Sequence, residues 1–156
     1  MPHNELKAVE GFLENKRLAV VGVSRNERDF TRVLFRAFLE RGYDAVPVNP
    51  QLTEADGKSA VAHVADISPA VDQVLVLTPP PANKQVVEEC VAAGIKRVWL
   101  YGAVTHGAST PDAVEACDRA GVTVVAGECP FMFLHETGFI HTLHGCIRRL
   151  TGQYPK

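Results

Sequence analysis

The sequence predicts an α/β fold, a doubly wound sheet of about five parallel strands with helices on its flanks. Three observations carry this expectation. Short apolar runs without alternation recur along the chain, segments of helical period lie between them, and three of those segments give way to the next strand through a glycine. Unalternating apolar runs suit strands covered on both faces. Strands that alternate with helices across tight joints call for right-handed crossovers, and so for parallel pairing.

Taken in order, Asn4 to Leu13 places Leu6, Val9 and Leu13 on one face and is expected to form a short packing helix. Leu18 to Gly22 (LAVVG) is the first strand. Phe30, Val33, Leu34, Ala37 and Phe38 then follow the i, i+3, i+4, i+7, i+8 rule, with Arg28, Arg32, Arg36 and Glu40 on the opposite, solvated face. Ala45 to Val48 is the second strand. Pro50 to Pro69 is polar and weakly periodic, an excursion with a short helix expected near Ser59 to Val64. Val74 to Leu77, Val98 to Tyr101 and Val122 to Ala126 complete the five strands. Val86, Cys90 and Ala93 mark one intervening helix. Ala113, Val114, Cys117 and Ala120 mark another, with Thr110 as N-cap and Pro111 at its first position. The helices end at Arg41-Gly42, Ala93-Gly94 and Ala120-Gly121, where glycine supplies a left-handed C-cap. The tail from Phe131 onward is aromatic and histidine-rich and closes on an amphipathic stretch, Ile147 to Leu150. No linker divides the chain, so residues 1–156 are expected to form a single domain.

Composition excludes several functions. A chain of 156 residues with 46% hydrophobic and 22% charged side chains is long enough to bury a core without staples. Sixteen Lys and Arg against eighteen Asp and Glu provide no field for a polyphosphate backbone, so nucleic acid is not expected as a partner. The apolar runs fall well below the roughly 20 residues that cross a bilayer, and the N-terminus lacks a signal-peptide pattern, so no membrane association and a cytoplasmic location are expected. Cys90, Cys117, Cys129 and Cys146 contain no C-x-x-C pair, which leaves reduced thiols as the simplest state.

In an open parallel sheet, ligands bind at the carboxyl ends of the strands, where the first βα turn aims helix-end amides outward. Here that turn is Gly22-Val23-Ser24-Arg25-Asn26. Gly22 permits the sharp turn, Ser24 offers a hydroxyl, and Arg25 or Arg28 can add charge-assisted bonds to a phosphate. A dinucleotide site would instead want G-x-G-x-x-G and an acid after the second strand. The corresponding positions hold Gly22, Ser24 and Glu27, and the second strand ends in Val48-Asn49-Pro50. NAD(P)-dependent oxidoreduction is therefore the runner-up.

The first turn, Ala19-Val20-Val21-Gly22-Val23-Ser24-Arg25-Asn26, is followed by Gly42-Tyr43 and Val46-Pro47-Val48-Asn49-Pro50, by Leu77-Thr78-Pro79-Pro80, by Val98-Trp99-Leu100, and by Gly121 through Val125. Across roughly residues 15 to 130 this pattern resembles the stand-alone CoA-binding proteins of Rossmann type. It is similar to the CoA-binding N-terminal domain of the succinyl-CoA synthetase α subunit. The resemblance implies a Rossmann-like sheet that binds CoA or acyl-CoA noncovalently. It implies that Gly22, Val23, Ser24 and Arg25, with Asn26 closing the turn, lie under the diphosphate. Pro47, Asn49 and Pro50 would lie near the adenosine, Thr78 and Pro79 along the crevice, and Lys58 where a cation meets the ribose phosphate. The chain is too short for the synthetase's second domain, so a binding protein rather than a ligase is expected, with no metal. A regulatory subunit with a vestigial crevice is a third alternative.

Outside that pattern, His106 and Cys129 are the nearest catalytic hints, both expected at the ligand edge of the sheet. Oxidation could join the Cys129 thiol to the ligand's pantetheine thiol. In the tail, Cys129, His135, Glu136, His141, His144 and Cys146 match no metal-ligand spacing, while Phe139, Ile140, Leu143, Ile147 and Leu150 suit packing against the sheet edge or a second subunit, either a second copy or a partner enzyme.

Overall fold

The computed structural model of the chain describes residues 6–102 and 108–134. His106, the tail histidines, Cys146 and the Ile147 to Leu150 stretch lie outside the described residues. The elements run in the order α1 (Leu6–Glu14), β1 (Arg17–Val21), α2 (Phe30–Glu40), β2 (Asp44–Val48), β3 (Glu54–Ala55), β4 (Lys58–Ser59), β5 (Gln73–Val76), α3 (Pro80–Ala92), β6 (Arg97–Tyr101), α4 (Pro111–Arg119) and β7 (Thr123–Glu128). Short 3-10 turns lie at Val64–Asp66, between β4 and β5, and at Pro130–Met132, after β7.

Five strands form one parallel sheet in the order β2-β1-β5-β6-β7, as expected. The residues of β1 alternate between two cores. Leu18 and Val20 join Val9, Phe12, Leu34, Phe35 and Phe38 on the side of α1 and α2. Ala19 and Val21 join Val87, Cys90, Ala113 and Cys117 on the side of α3 and α4. Both faces are thus apolar, the physical reason the strand runs show no alternation. Trp99 is fully buried on the first side, with the Phe12 ring edge-on at 5.3 Å.

β1 pairs with β2 on one side and β5 on the other, so the chain reverses its direction of winding between β1 and β5. That reversal opens a crevice at the carboxyl ends of the two strands. The excursion after β2 departs from expectation. Residues 58–61 run extended along β2, with the Val61 amide donating to the Pro47 carbonyl (3.1 Å) and the Asn49 amide to the Val61 carbonyl (2.9 Å). Helix is confined to the turn at Val64–Asp66. The edge of β2 would otherwise present unpaired backbone groups, and the excursion covers them. Pro47 is tolerated in this strand because β2 is the edge of the five-stranded sheet.

Candidate functional site

The cleft at the winding reversal encloses about 680 Å³. Its floor is built from Gly22 at the end of β1, Val48, Asn49 and Pro50 after β2, and Leu77, Thr78 and Pro79 after β5. Ser24, Asp29, Thr31 and Tyr101 line one side, and Ala62, His63, Val64, Gln85, Val86 and Glu89 the other.

Gly22 has φ +94°, and a Cβ built on it would lie 2.9 Å from the Thr78 amide nitrogen and 3.0 Å from Thr78 Cγ2. Both the left-handed conformation and the close approach of the β5 turn demand glycine there. Beyond it the turn is held by a network. The Ser24 amide donates to Thr31 Oγ1 (2.9 Å), the Thr31 hydroxyl donates to Asp29 Oδ1 (2.7 Å), and Asp29 caps α2 by accepting from the Thr31 amide (2.8 Å). Ser24 Oγ accepts from the Asn26 amide at 3.1 Å. Val23 is fully buried, and its carbonyl accepts from Asn49 Nδ2 at 2.9 Å. Asn49 Oδ1 in turn accepts from the Gln51 amide at 2.9 Å, so this side chain braces the two turns against each other.

The structure brings Gly22, Ser24, Asn49, Pro50, Thr78 and Pro79 into one cleft. It places the other sequence candidates elsewhere. Arg25 and Asn26 are exposed and Pro47 is buried within β2, none of them on the cleft wall. Lys58 does not reach it: its ammonium lies 3.7 Å from Asp44 at the amino end of β2, the opposite edge of the sheet. Residues 58–61 run parallel to β2, which carries the chain from that edge up to His63 at the cleft.

Several residues with structural control over the site were missed. Asn83 is fully buried. It accepts from the Thr78 hydroxyl (2.6 Å) and donates to the Ala108 carbonyl (2.9 Å), fixing the β5 turn to the chain that follows β6. A polar residue one helical turn below Pro79-Pro80 was its only signal. Arg32, assigned to the solvated face of α2, is 4% exposed. Its Nε donates to Asp56 Oδ2 at 2.9 Å and its Nη1 to the Ser24 carbonyl at 3.2 Å, while Arg36 Nε reaches Asp56 Oδ1 at 3.1 Å. Burial works against the Asp56 carboxylate, yet the hydrogen bonds and charges of Arg32 and Arg36 hold its pKa below the ordinary value. The hairpin tip that carries Asp56 is far in sequence from α2, and local periodicity carries no sign of the pairing.

At the other end of the crevice, Tyr101 lies beneath Phe30 (ring centroids 5.1 Å apart), which also meets Phe131 at 5.9 Å. Burial pushes the Cys129 thiol above its ordinary range, with the Glu128 charge adding and amide hydrogen bonds from Phe131 and Met132 opposing. Burial raises the Tyr101 phenol as well, and Cys129 adds to it. Neither group is poised as a nucleophile near neutral pH.

The geometry is a cleft at the first βα turn, and comparison with known proteins supplies the family. A family model described as a CoA binding domain matches residues 16–135. The chain belongs to this CoA-binding domain family. It is 29% identical over 115 residues to the uncharacterized protein YneT of Bacillus subtilis, covering 74% of this chain and 82% of that one. It is 25% identical over 128 residues to the α subunit of an ADP-forming acetate–CoA ligase II of Pyrococcus furiosus, where the match covers 76% of this chain and 27% of the relative. Among solved structures, a hypothetical protein from Pyrococcus horikoshii superimposes with a TM-score of 0.72 at 28% identity, over 80% of this chain and 85% of that one. Among the described residues, no helix is long and apolar enough to cross a membrane.

Proposed function

We propose that the cleft holds CoA or an acyl-CoA noncovalently, with the diphosphate over the Gly22 to Arg25 turn and the adenosine toward Asn49 and Pro50. The observation that carries this reading is the convergence of Gly22, Asn49 and Thr78 at the winding reversal of a chain in the CoA-binding domain family. The Ser24 hydroxyl accepts from the Asn26 amide and so keeps its own proton for a phosphate oxygen. Pro79 and Pro80 line the cleft and carry no N–H, so an apolar ligand part can rest on them without covering an unpaired donor. The role proposed for the cleft is binding.

A dinucleotide would require an acid at the end of β2 for its ribose hydroxyls. Asn49 stands there with its side-chain nitrogen and oxygen both engaged in bracing the turns. Calorimetric titration tests the proposal. CoA is expected to bind in the micromolar range or tighter and NAD(P) not to bind. NAD(P) binding without CoA binding would overturn it, and binding of neither would favour a regulatory subunit with a vestigial crevice.

A further inference from the structure

We propose that His63 is the cation that reads the 3′-phosphate of CoA, and that it makes the cleft selective for CoA over dephospho-CoA in a pH-dependent way. This rests on the CoA reading of the cleft. CoA is a polyanion, but no lysine or arginine stands among the described residues that line the cavity, and both lining carboxylates, Asp29 and Glu89, oppose an anion. His63 is the one lining side chain that can carry positive charge. It stands on the adenosine side of the site, because Val61, two residues before it, is hydrogen-bonded to the Asn49 amide.

The surroundings of the imidazole suit this task. His63 is 58% exposed, and its Nδ1 lies 3.6 Å from Glu89 Oε2 on α3. The backbone amide of Asp66 also faces this imidazole in a capping box, and a ring nitrogen turned toward the cleft can donate to a phosphate oxygen. The other charges about it are Asp66 on its own segment, which accepts from the His63 amide at 3.1 Å, and Asp29, which lines the cleft from α2. An imidazole between a carboxylate and a phosphate is favoured in its charged form. The imidazolium donates from both nitrogens at once, one to Glu89 and one to the phosphate, whereas the neutral ring donates from only one.

The proton balance sets the pH window. A phosphate monoester becomes a dianion above about pH 6, and an unperturbed histidine loses its charge near pH 6.5. An imidazolium gives way to the neutral ring as pH rises through the histidine range, so the extra affinity is expected at pH 6.5 and is expected to be lost by pH 8.5.

Titration calorimetry of the full chain with CoA and with dephospho-CoA at both pH values decides the matter. CoA is expected to bind about 3- to 10-fold tighter than dephospho-CoA at pH 6.5, the scale of one charge-assisted contact. That ratio should shrink toward unity at pH 8.5. His63→Gln should show a ratio near one at both values, and His63→Lys should restore it at both, since an ammonium stays charged throughout. The side chain is mostly exposed, so neither variant is expected to disturb folding, and an unchanged far-UV circular dichroism spectrum checks this. If both ligands bind with equal affinity at pH 6.5, or if His63→Gln keeps the wild-type ratio, the His63 assignment is wrong while the CoA reading stands. If neither ligand binds the wild type, the CoA reading itself falls.

Discussion

At the residue scale, Gly22 combines two demands, a positive φ and a backbone that touches Thr78. Gly22→Ala should therefore cost about 1 to 3 kcal/mol of stability, the scale of a strained conformer plus a displaced neighbour. Urea denaturation would measure this, and a loss below about 0.5 kcal/mol would show that the turn relaxes easily. The same substitution should abolish CoA binding, because moving Thr78 widens the floor of the cleft. Cys129 illustrates the opposite case, a residue prominent in sequence that its surroundings silence. Its thiol pKa lies above the usual range, so it is less ionised at neutral pH than a free cysteine. Peptide mapping after iodoacetamide treatment should show modification at Cys129 still climbing as pH rises past 8.5, rather than levelling off there.

At the scale of elements, the hairpin β3–β4 sends one apolar side chain, Ala55, into the core and is otherwise tied to α2 by charge. Arg32 and Arg36 of α2 both grip Asp56, and Arg32 passes the contact on to the Ser24 carbonyl in the first turn. Asp56→Asn leaves a largely buried guanidinium without its counter-charge, which should cost about 3 kcal/mol at neutral pH. The folded-state pKa of Asp56 is below its unfolded value, so this stabilisation is present above roughly pH 4 and is lost as pH falls through the folded value. Acid titration of stability should accordingly be flatter in the variant than in the wild type. Equal slopes would mean that the ion pair contributes nothing to linkage. This element also marks where periodicity misleads. A stripe of arginines opposite an apolar stripe ordinarily meets water, but here a distant loop folds over it.

At the scale of the whole molecule, two apolar cores share one sheet, since alternate residues of each central strand face opposite sides. Unfolding should then be a single transition, with the fluorescence of the lone Trp99 and far-UV circular dichroism changing together. Two separated midpoints would show that the α1–α2 layer leaves independently. Saturating CoA, at about 100 times its Kd, should raise the midpoint temperature by roughly 5 to 10 °C. The amino-acid sequence by itself determined the five strands of the parallel sheet, the helices α2 and α4, and the glycine turn, because each is written in local periodicity or in one residue's backbone freedom. It also pointed to Asn49, Pro50, Thr78 and Pro79, which follow directly from the ends of strands. Only the tertiary structure decided that Asn83 fixes the β5 turn, that Arg32 is buried on Asp56, and that the excursion delivers His63 rather than Lys58 to the cleft. Those outcomes depend on which loops meet after the chain has crossed the sheet. The side chains that meet there are far apart in sequence, and no local pattern encodes their distance.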